Sequence, residues 1–317
     1  MIDNKNINAA IDIGSNSVLM SLKDKNSSQR EEYSQITRLA EGLNQSKQFS
    51  ATALERTYKT LDEYHKILIS KKITTSETLA CATEAARIAN NSSTFFQEIE
   101  KKLGFKINIL STEGEAYYSA LGVTSGFSSK NGQPLNVIII DLGGASTEII
   151  IVENSPFKIV SYVSIPLGAL LVTELSPQQL TSSIASLSLS LPPSFLSSLS
   201  SLILSGFPVI TIGGTATTLA NIITGNNESF IADNIQGMRI SIDDLMKTQT
   251  KLAYSTEKEL KQIYPFLGER AKTIIGGNIL LSSLLNVLKI KYINISTHGL
   301  RHGLLYEGKI KSEYIFS

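Results

Sequence analysis

The stretch VIIIDLGGASTEIIIV, residues 137–152, constrains the fold more than any other part of the chain. A run of β-branched apolar residues ends at Asp141, turns through Gly143 and Gly144, and resumes as a second apolar run carrying Glu148. Short apolar runs on either side of a glycine turn read as two buried strands joined by a hairpin. The plan recurs near the start, where NAAIDIGSNSVLMSL (8–22) sets Asp12, Gly14, Ser15, Asn16 and Ser17 between two strand-like runs. A device built twice in one chain suggests two related halves gripping one ligand.

The length of 317 residues allows two domains of ordinary size, each with its own core. A net charge of +1 gives no bulk attraction to DNA or to an anionic membrane, so any polyanion must be held locally. The opening MIDNKNINAAIDIG has no secretory pattern, and no apolar run reaches the roughly 18–20 residues of a membrane span. The single cysteine, Cys81, lies in the apolar ETLACATEAAR, which excludes an internal disulfide and reads as an inert buried thiol. The expectation is a reduced, cytoplasmic protein with no DNA and no membrane partner. A homodimer is allowed but not required.

Strand and helix alternate along the rest of the chain, which makes the fold class α/β. Residues 50–72 carry Leu54, Tyr58, Leu61, Tyr64 and Leu68 at helical spacing behind the N-cap candidate Ser50. SETLACA and KINILS read as strands, and TEGEAYYSALGVTSG as a helix. The polar SSKNGQPLN (128–136) marks a seam between domains. A serine-heavy stretch beyond residue 175 keeps leucines at helical spacing and should break into two helices at Pro192 and Pro193. SIDDLMKTQTKLAYSTEKELKQIY reads as helix, RAKTIIGGNILLSSLLNVLK as a helix interrupted at Gly276 and Gly277, and HGLRHGLLYEGKIKSEY as helical.

Neither hairpin turn leads into a helix, so neither is a dinucleotide-type loop. Anion binding would come instead from backbone N–H groups around Gly14, Gly143 and Gly144 and from the hydroxyls of Ser15, Ser17, Ser146 and Thr147. The candidate phosphate-binding residues in the two turns are Gly14, Ser15, Asn16 and Ser17, then Gly143, Gly144, Ala145, Ser146 and Thr147. A carboxylate beside a bound phosphate requires a cation between them. Asp12, Asp141 and Glu148 are therefore candidate Mg²⁺ ligands, directly or through water; the plainer reading is that the aspartates cap tight turns. A third turn, Gly213-Gly214-Thr215, precedes a helix. It either holds a phosphate at the helix N-terminus or lets the helix pack closely on its strand.

The ordered set DIGSNS, RLAEGL (38–43), ATEAAR (82–87), EGEAYYSALGV (113–123), DLGGASTE (141–148), IPLGALLVTE (165–174), GGTATTLA (213–220), ERAKTIIGG (269–277) and STHGLRHGLL (296–305) resembles the exopolyphosphatase and guanosine pentaphosphate phosphohydrolase family nearly end to end. The resemblance implies two related actin-like (ribonuclease H-like) domains with a phosphate-binding cleft between them, residues 1–126 with about 302–317, and 127–301. It also implies Mg²⁺-dependent removal of the terminal phosphate of polyphosphate or guanosine pentaphosphate, and it favours the short two-domain form. Departures from the common pattern are Leu19 and Leu171 in place of arginines, His302 in place of a glutamate, and a less acidic EGEA. These leave substrate preference open.

Hydrolysis of a phosphoanhydride needs an in-line water and a group that orients it. His65, His298 and His302 have no serine or cysteine partner legible in the sequence, so a carboxylate is the better base. The resemblance places the catalytic glutamate at Glu115, with Glu113 its neighbouring alternative. The competing reading of Glu115 is structural, since Thr112-Glu113-Gly114-Glu115 fits a helix capping box. Arg87 is either a phosphate clamp or a surface partner of Glu84. Arg38, Arg270 and Arg301 are further candidate polyanion contacts. A small-molecule kinase of the same superfold and a non-catalytic polyphosphate or alarmone sensor are the alternatives.

Overall fold

The computed structural model describes residues 7–23, 30–127 and 135–316. Residues 128–134 of the polar stretch expected as a seam lie outside the described residues. The chain divides into two compact units, Met1–Ser125 with His298–Ser317, and Gly126–Thr297. The return to the first unit thus falls at His298 rather than near 302.

The first unit holds a five-stranded sheet of β1 (Ala9–Ile13), β2 (Ser17–Lys23), β3 (Arg30–Ile36), β4 (Thr78–Ala82) and β5 (Ile107–Ile109), in the order β3-β2-β1-β4-β5. The second holds β6 (Val137–Leu142), β7 (Thr147–Asn154), β8 (Phe157–Ile165), β9 (Val209–Ile212), β10 (Arg239–Ser241) and β11 (Tyr292–Ile295), in the order β10-β11-β9-β6-β7-β8. In each sheet three strands form an antiparallel meander, then parallel strands are laid against the first of them. The two plans coincide strand for strand, with β10 added antiparallel at the far edge of the second. The doubled hairpin of the sequence is therefore one part of a doubled α/β topology.

Burial explains the apolar runs. The central strands β1 and β6 are buried throughout except at Asp12 and Asp141. Ile138, Ile139 and Ile140 are fully buried, and each contributes roughly 2 kcal/mol of apolar transfer. A strand with both faces covered reads as a continuous apolar run, and a lone carboxylate in it marks where the cover opens.

Helices cover the sheets much as their periodicity requires. Ala51–Ser70 starts at Ser50, whose side chain accepts from the Ala53 amide, and the serine-rich stretch forms Pro177–Ala185 and Pro193–Leu204. Three expectations fail for local reasons. The stretch 241–264 is two helices, Ile242–Leu252 and Glu257–Ile263, because Thr256 and Glu259 form a second capping box. Gly276 and Gly277 do not interrupt Ile274–Val287; they sit inside it, against Thr173 and Thr215. The last helix is only Leu300–Glu307, stopped by Gly308 in the left-handed region. Among the described residues no helix is long and apolar enough to cross a membrane.

Candidate active site

In the first unit the predicted residues gather at the C-terminal ends of β1, β4 and β5, the end of a parallel sheet where ligands bind. Asp12 pairs in register with Cys81 on β4. Cys81 is fully buried, and its thiol is pushed well up, first by burial and then by the negative charges of Asp12 and Glu115. One thiol feels both carboxylates, so Asp12 and Glu115 share a locality. The expected inert thiol is what burial produces.

The β1–β2 turn is closed by Gly14 N–H donating to the Ser17 carbonyl at 2.9 Å. Its outer carbonyls are tethered by the segment after β3: Ala40 N–H donates to Ser15 O (2.9 Å), and Thr37 and Arg38 N–H donate to Asn16 O (3.0 and 2.9 Å). Arg38 takes a left-handed φ of 48° and is buried, and Arg56 donates to the carbonyls of Thr37 and Arg38. Arg38 is thus a backbone element of the turn rather than a surface charge. In a planar trans peptide the N–H points opposite to the C=O. Tethering the Ser15 and Asn16 carbonyls therefore turns the amides of Asn16 and Ser17 to the other side. The Oδ1 of Asn16, in this turn, and the Oγ1 of Thr37, in its tether, are buried without hydrogen-bond partners.

The second unit repeats the construction. Gly143 N–H donates to Ser146 O at 3.0 Å. The segment after β8 tethers the turn: Ala169 N–H donates to Gly143 O (2.9 Å), and Leu170 and Leu171 N–H donate to Gly144 O (2.9 and 3.3 Å). By the same peptide geometry the amides of Gly144 and Ala145 face away. Ser146 is buried, and so is Thr147, whose hydroxyl donates to Leu167 O at 2.7 Å. Asp141 and Glu148 are direct cross-strand partners; Glu148 is 2% exposed and accepts from the Ser164 hydroxyl at 2.7 Å.

The third turn closes on this pair. Gly213 has φ 96°, and a Cβ there would lie 2.4 Å from Leu142 O and 3.4 Å from Asp141 Oδ1, so only glycine fits. Gly214 starts the helix Gly214–Ile223, and the Arg270 guanidinium lies directly over its α-carbon. Thr215 packs against Gly277. Close packing and an arginine at the helix start thus coexist at this turn.

Glu115 lies in the first turn of the helix Thr112–Gly126, and it is buried where Glu113 is exposed. The capping box expected there is not formed by Glu115. Ser111 caps instead, its hydroxyl accepting from Gly114 N–H at 3.1 Å. The Glu115 carboxylate accepts from Arg87 Nη2 at 2.8 Å. The same nitrogen donates to Glu84, and Nη1 donates to Leu110 O at 2.8 Å. With 7% of its side chain exposed, Arg87 is no surface partner of Glu84. Burial works against its charge, and the Glu115 and Glu84 carboxylates overcome that and raise its pKa. Arg301 is ion-paired to Glu32.

Asp12, the Gly14–Ser17 turn, Arg87 and Glu115 thus come together in one unit, and Asp141, Glu148 and the two glycine turns in the other. Among the described residues no three or more of His, Cys, Asp or Glu gather as a protein-only metal cage. Sequence reasoning missed the tethers 37–40 and 169–171, and Ser164 beside Glu148. They act through backbone groups or across strands, and residue type does not announce that.

Residues 27–312 match the Ppx/GppA phosphatase family, and the chain belongs to it. It is 27% identical to the bifunctional 3-dehydroquinate synthase/phosphatase of Fusobacterium nucleatum, over 96% of this chain and 47% of that protein. It is 29% identical to the guanosine-5'-triphosphate,3'-diphosphate pyrophosphatase of Pseudoalteromonas translucida, over 95% of this chain and 59% of that one. The chain therefore spans about half to three-fifths of the length of these relatives. Among solved structures, an exopolyphosphatase from Cytophaga hutchinsonii superposes with a TM-score of 0.79 at 20% identity, covering 96% of this chain and 99% of that one. The mixed α/β fold with two sheets is the one the sequence implied.

Proposed function

We propose that this chain hydrolyses a terminal phosphoanhydride, that of inorganic polyphosphate or of guanosine pentaphosphate, with Glu115 orienting the attacking water. The observation that carries the reading is the Glu115 carboxylate, buried and fixed by Arg87 at the strand ends where the β1–β2 turn presents its amides. A base held in one orientation beside an anion-binding turn is what in-line attack on a phosphoryl group requires. Arg87, already donating to two carboxylates and a carbonyl, acts as the anchor of the base. Each unit carries a turn of this construction, with amides free to meet phosphate oxygens.

Mg²⁺ fits the residues present. Asp141 and Glu148 are adjacent hard oxygen donors, and Mg²⁺ typically takes one or two carboxylates together with phosphate oxygens and water. When bound it would neutralise charge on the transferring phosphoryl. A reduced, cytoplasmic setting belongs to this reading, on the strength of a single buried cysteine.

The test is phosphate release from long-chain polyphosphate, guanosine pentaphosphate and ATP in parallel, with Mg²⁺ and a Glu115→Gln control. We expect release from one of the first two without an acceptor, and a drop in kcat of about 10²- to 10⁴-fold in the variant. Transfer from ATP to a sugar would establish a kinase instead, and tight polyphosphate binding without release a sensor.

A further inference from the structure

We infer that residues 309–316 are a brace that sets the orientation of Glu115, with Tyr314 as its positioning residue. The inference rests on the reading of Glu115 as the base and concerns groups about 200 residues away in sequence. Ser111, the cap of the Glu115 helix, donates its N–H to Tyr314 O at 2.9 Å, and Phe316 N–H donates to Ile109 O at 2.8 Å. Leu110 and Ile315 form an antiparallel bridge between those bonds. The segment thus adds a short strand to the open edge of β5, at the point where β5 hands the chain to the helix.

Two further contacts make this a brace on the base rather than a general tie. The backbone of Tyr314 sits on the first helical turn: a Cβ at Gly114, the residue before Glu115, would lie 2.6 Å from Tyr314 O. Leu110, fully buried under the bridge, supplies the carbonyl that accepts from Arg87 Nη1, and Arg87 holds Glu115. The segment therefore reaches the carboxylate by two routes, through the helix backbone and through the guanidinium.

Side chains lock the segment in place. The Tyr314 ring lies 4.6 Å from that of Tyr117 and 5.9 Å, edge-on, from that of Tyr118. Lys311 N–H donates to the Tyr118 hydroxyl at 2.8 Å, which donates to Lys309 O at 3.1 Å. Lys311 Nζ donates to the Tyr117 hydroxyl at 2.6 Å. Both tyrosines stand on the Glu115 helix, two and three residues beyond the base. The family match ends at residue 312, so the strand that completes the brace lies outside it.

The test is steady-state phosphate release by Tyr314→Ala, Tyr314→Phe, Gly114→Ala and Glu115→Gln. Misplacing a catalytic group by about 1 Å costs up to roughly 10²-fold in rate. We expect Tyr314→Ala and Gly114→Ala to lower kcat by about tenfold or more with KM within about twofold, and Tyr314→Phe to restore kcat. A matched core truncation in the second unit, Leu260→Ala, should destabilise without lowering kcat. Should Tyr314→Ala fail to fold, Gly114→Ala decides alone, because it pushes on the segment without removing any of its side chains. Wild-type kcat in a folded Gly114→Ala beside an inactive Glu115→Gln would overturn the brace while sparing the base. An active Glu115→Gln would overturn both.

Discussion

The two glycine hairpins share a turn, a tether and an aspartate, and differ at one register position. Opposite Asp12 on β2 stands Leu19; opposite Asp141 on β7 stands Glu148. The first unit has one carboxylate in its hairpin and finds its second, Glu115, on a helix fixed by Arg87. The second unit places both on the hairpin itself. On the proposed reading one copy of the scaffold holds a water-orienting base and the other a hard oxygen pair suited to a cation. The shared part is backbone, which duplication preserves; the divergent part is side chains, which are free to change once the turn is secured.

The largest expected effect probes what is peculiar to the first unit. Arg87→Gln removes the cation that lies between Glu84 and Glu115, both largely buried. Breaking a buried pair from one side costs about 3–5 kcal/mol. Urea unfolding should therefore show a loss of about that size, with kcat falling even under conditions where the variant is folded. If Arg87→Gln were as stable as the parent, the anchor that distinguishes the units would not exist.

How much of this was legible in the sequence follows from the range of each interaction. The hairpins were legible because a buried strand, its turn glycines and its carboxylates lie within sixteen consecutive residues, 137–152. The break at Pro192 was legible for the same local reason. The capping-box alternative for Glu115 was wrong because two motifs overlapped by one residue, and Ser111 took the cap. The short β10 and the strand-like 314–316 carry no period that so few residues can show, and the bond from Arg87 to Glu115 spans 28 positions. Side-chain identity nominates such pairs; only the fold brings them together.

Acid should separate the two units. All three histidines, His65, His298 and His302, belong to the first. Burial, then the charge of Arg301, holds His302 down to about 3, with Nδ1 accepting from Gly299 N–H and Nε2 against Glu32; the stacked His298 is lowered by burial and then by Arg30. Glu32 sits near 2: burial opposes its charge, but the His302 hydrogen bond and Arg301 prevail. A depressed folded pKa gives stability that is complete above the unfolded value and is lost as pH falls toward the folded one. Between about pH 6.5 and 4.5 His302 and His298 act first, at about 1.4 kcal/mol per pH unit for each fully uncompensated proton. Glu32 adds its loss below about 4.5. Hydrogen exchange followed by mass spectrometry should show the first unit opening before the second as pH drops through that window. Simultaneous opening would mean that the histidine cluster does not control acid stability.

A smaller effect probes the second unit. Glu148→Gln removes one of the two opposed carboxylates while keeping a group that can accept from Ser164. Apparent Mg²⁺ affinity, read as a thermal shift on titration without substrate, should weaken by at least about tenfold, or roughly 1.4 kcal/mol. An unchanged Mg²⁺ shift would remove Glu148 from the cation-binding role and with it the specialisation assigned to this hairpin.

The smallest effect reverses the difference directly. Leu19→Glu would place a second carboxylate opposite Asp12, remaking in the first unit the pair that Asp141 and Glu148 form in the second. Like charges directly opposite in a sheet destabilise by up to about 1 kcal/mol, and a half-buried leucine is lost as well. Without metal the variant should therefore unfold at slightly lower urea than the parent. If an opposed pair on this turn is sufficient for a cation site, Mg²⁺ should recover the loss, and a second, weaker Mg²⁺ event should appear on titration. If Mg²⁺ recovers nothing, the pair alone is insufficient. The third glycine turn beside Asp141, for which the first unit has Thr83 and Glu84 at the end of β4, would then be the part that makes the second hairpin different.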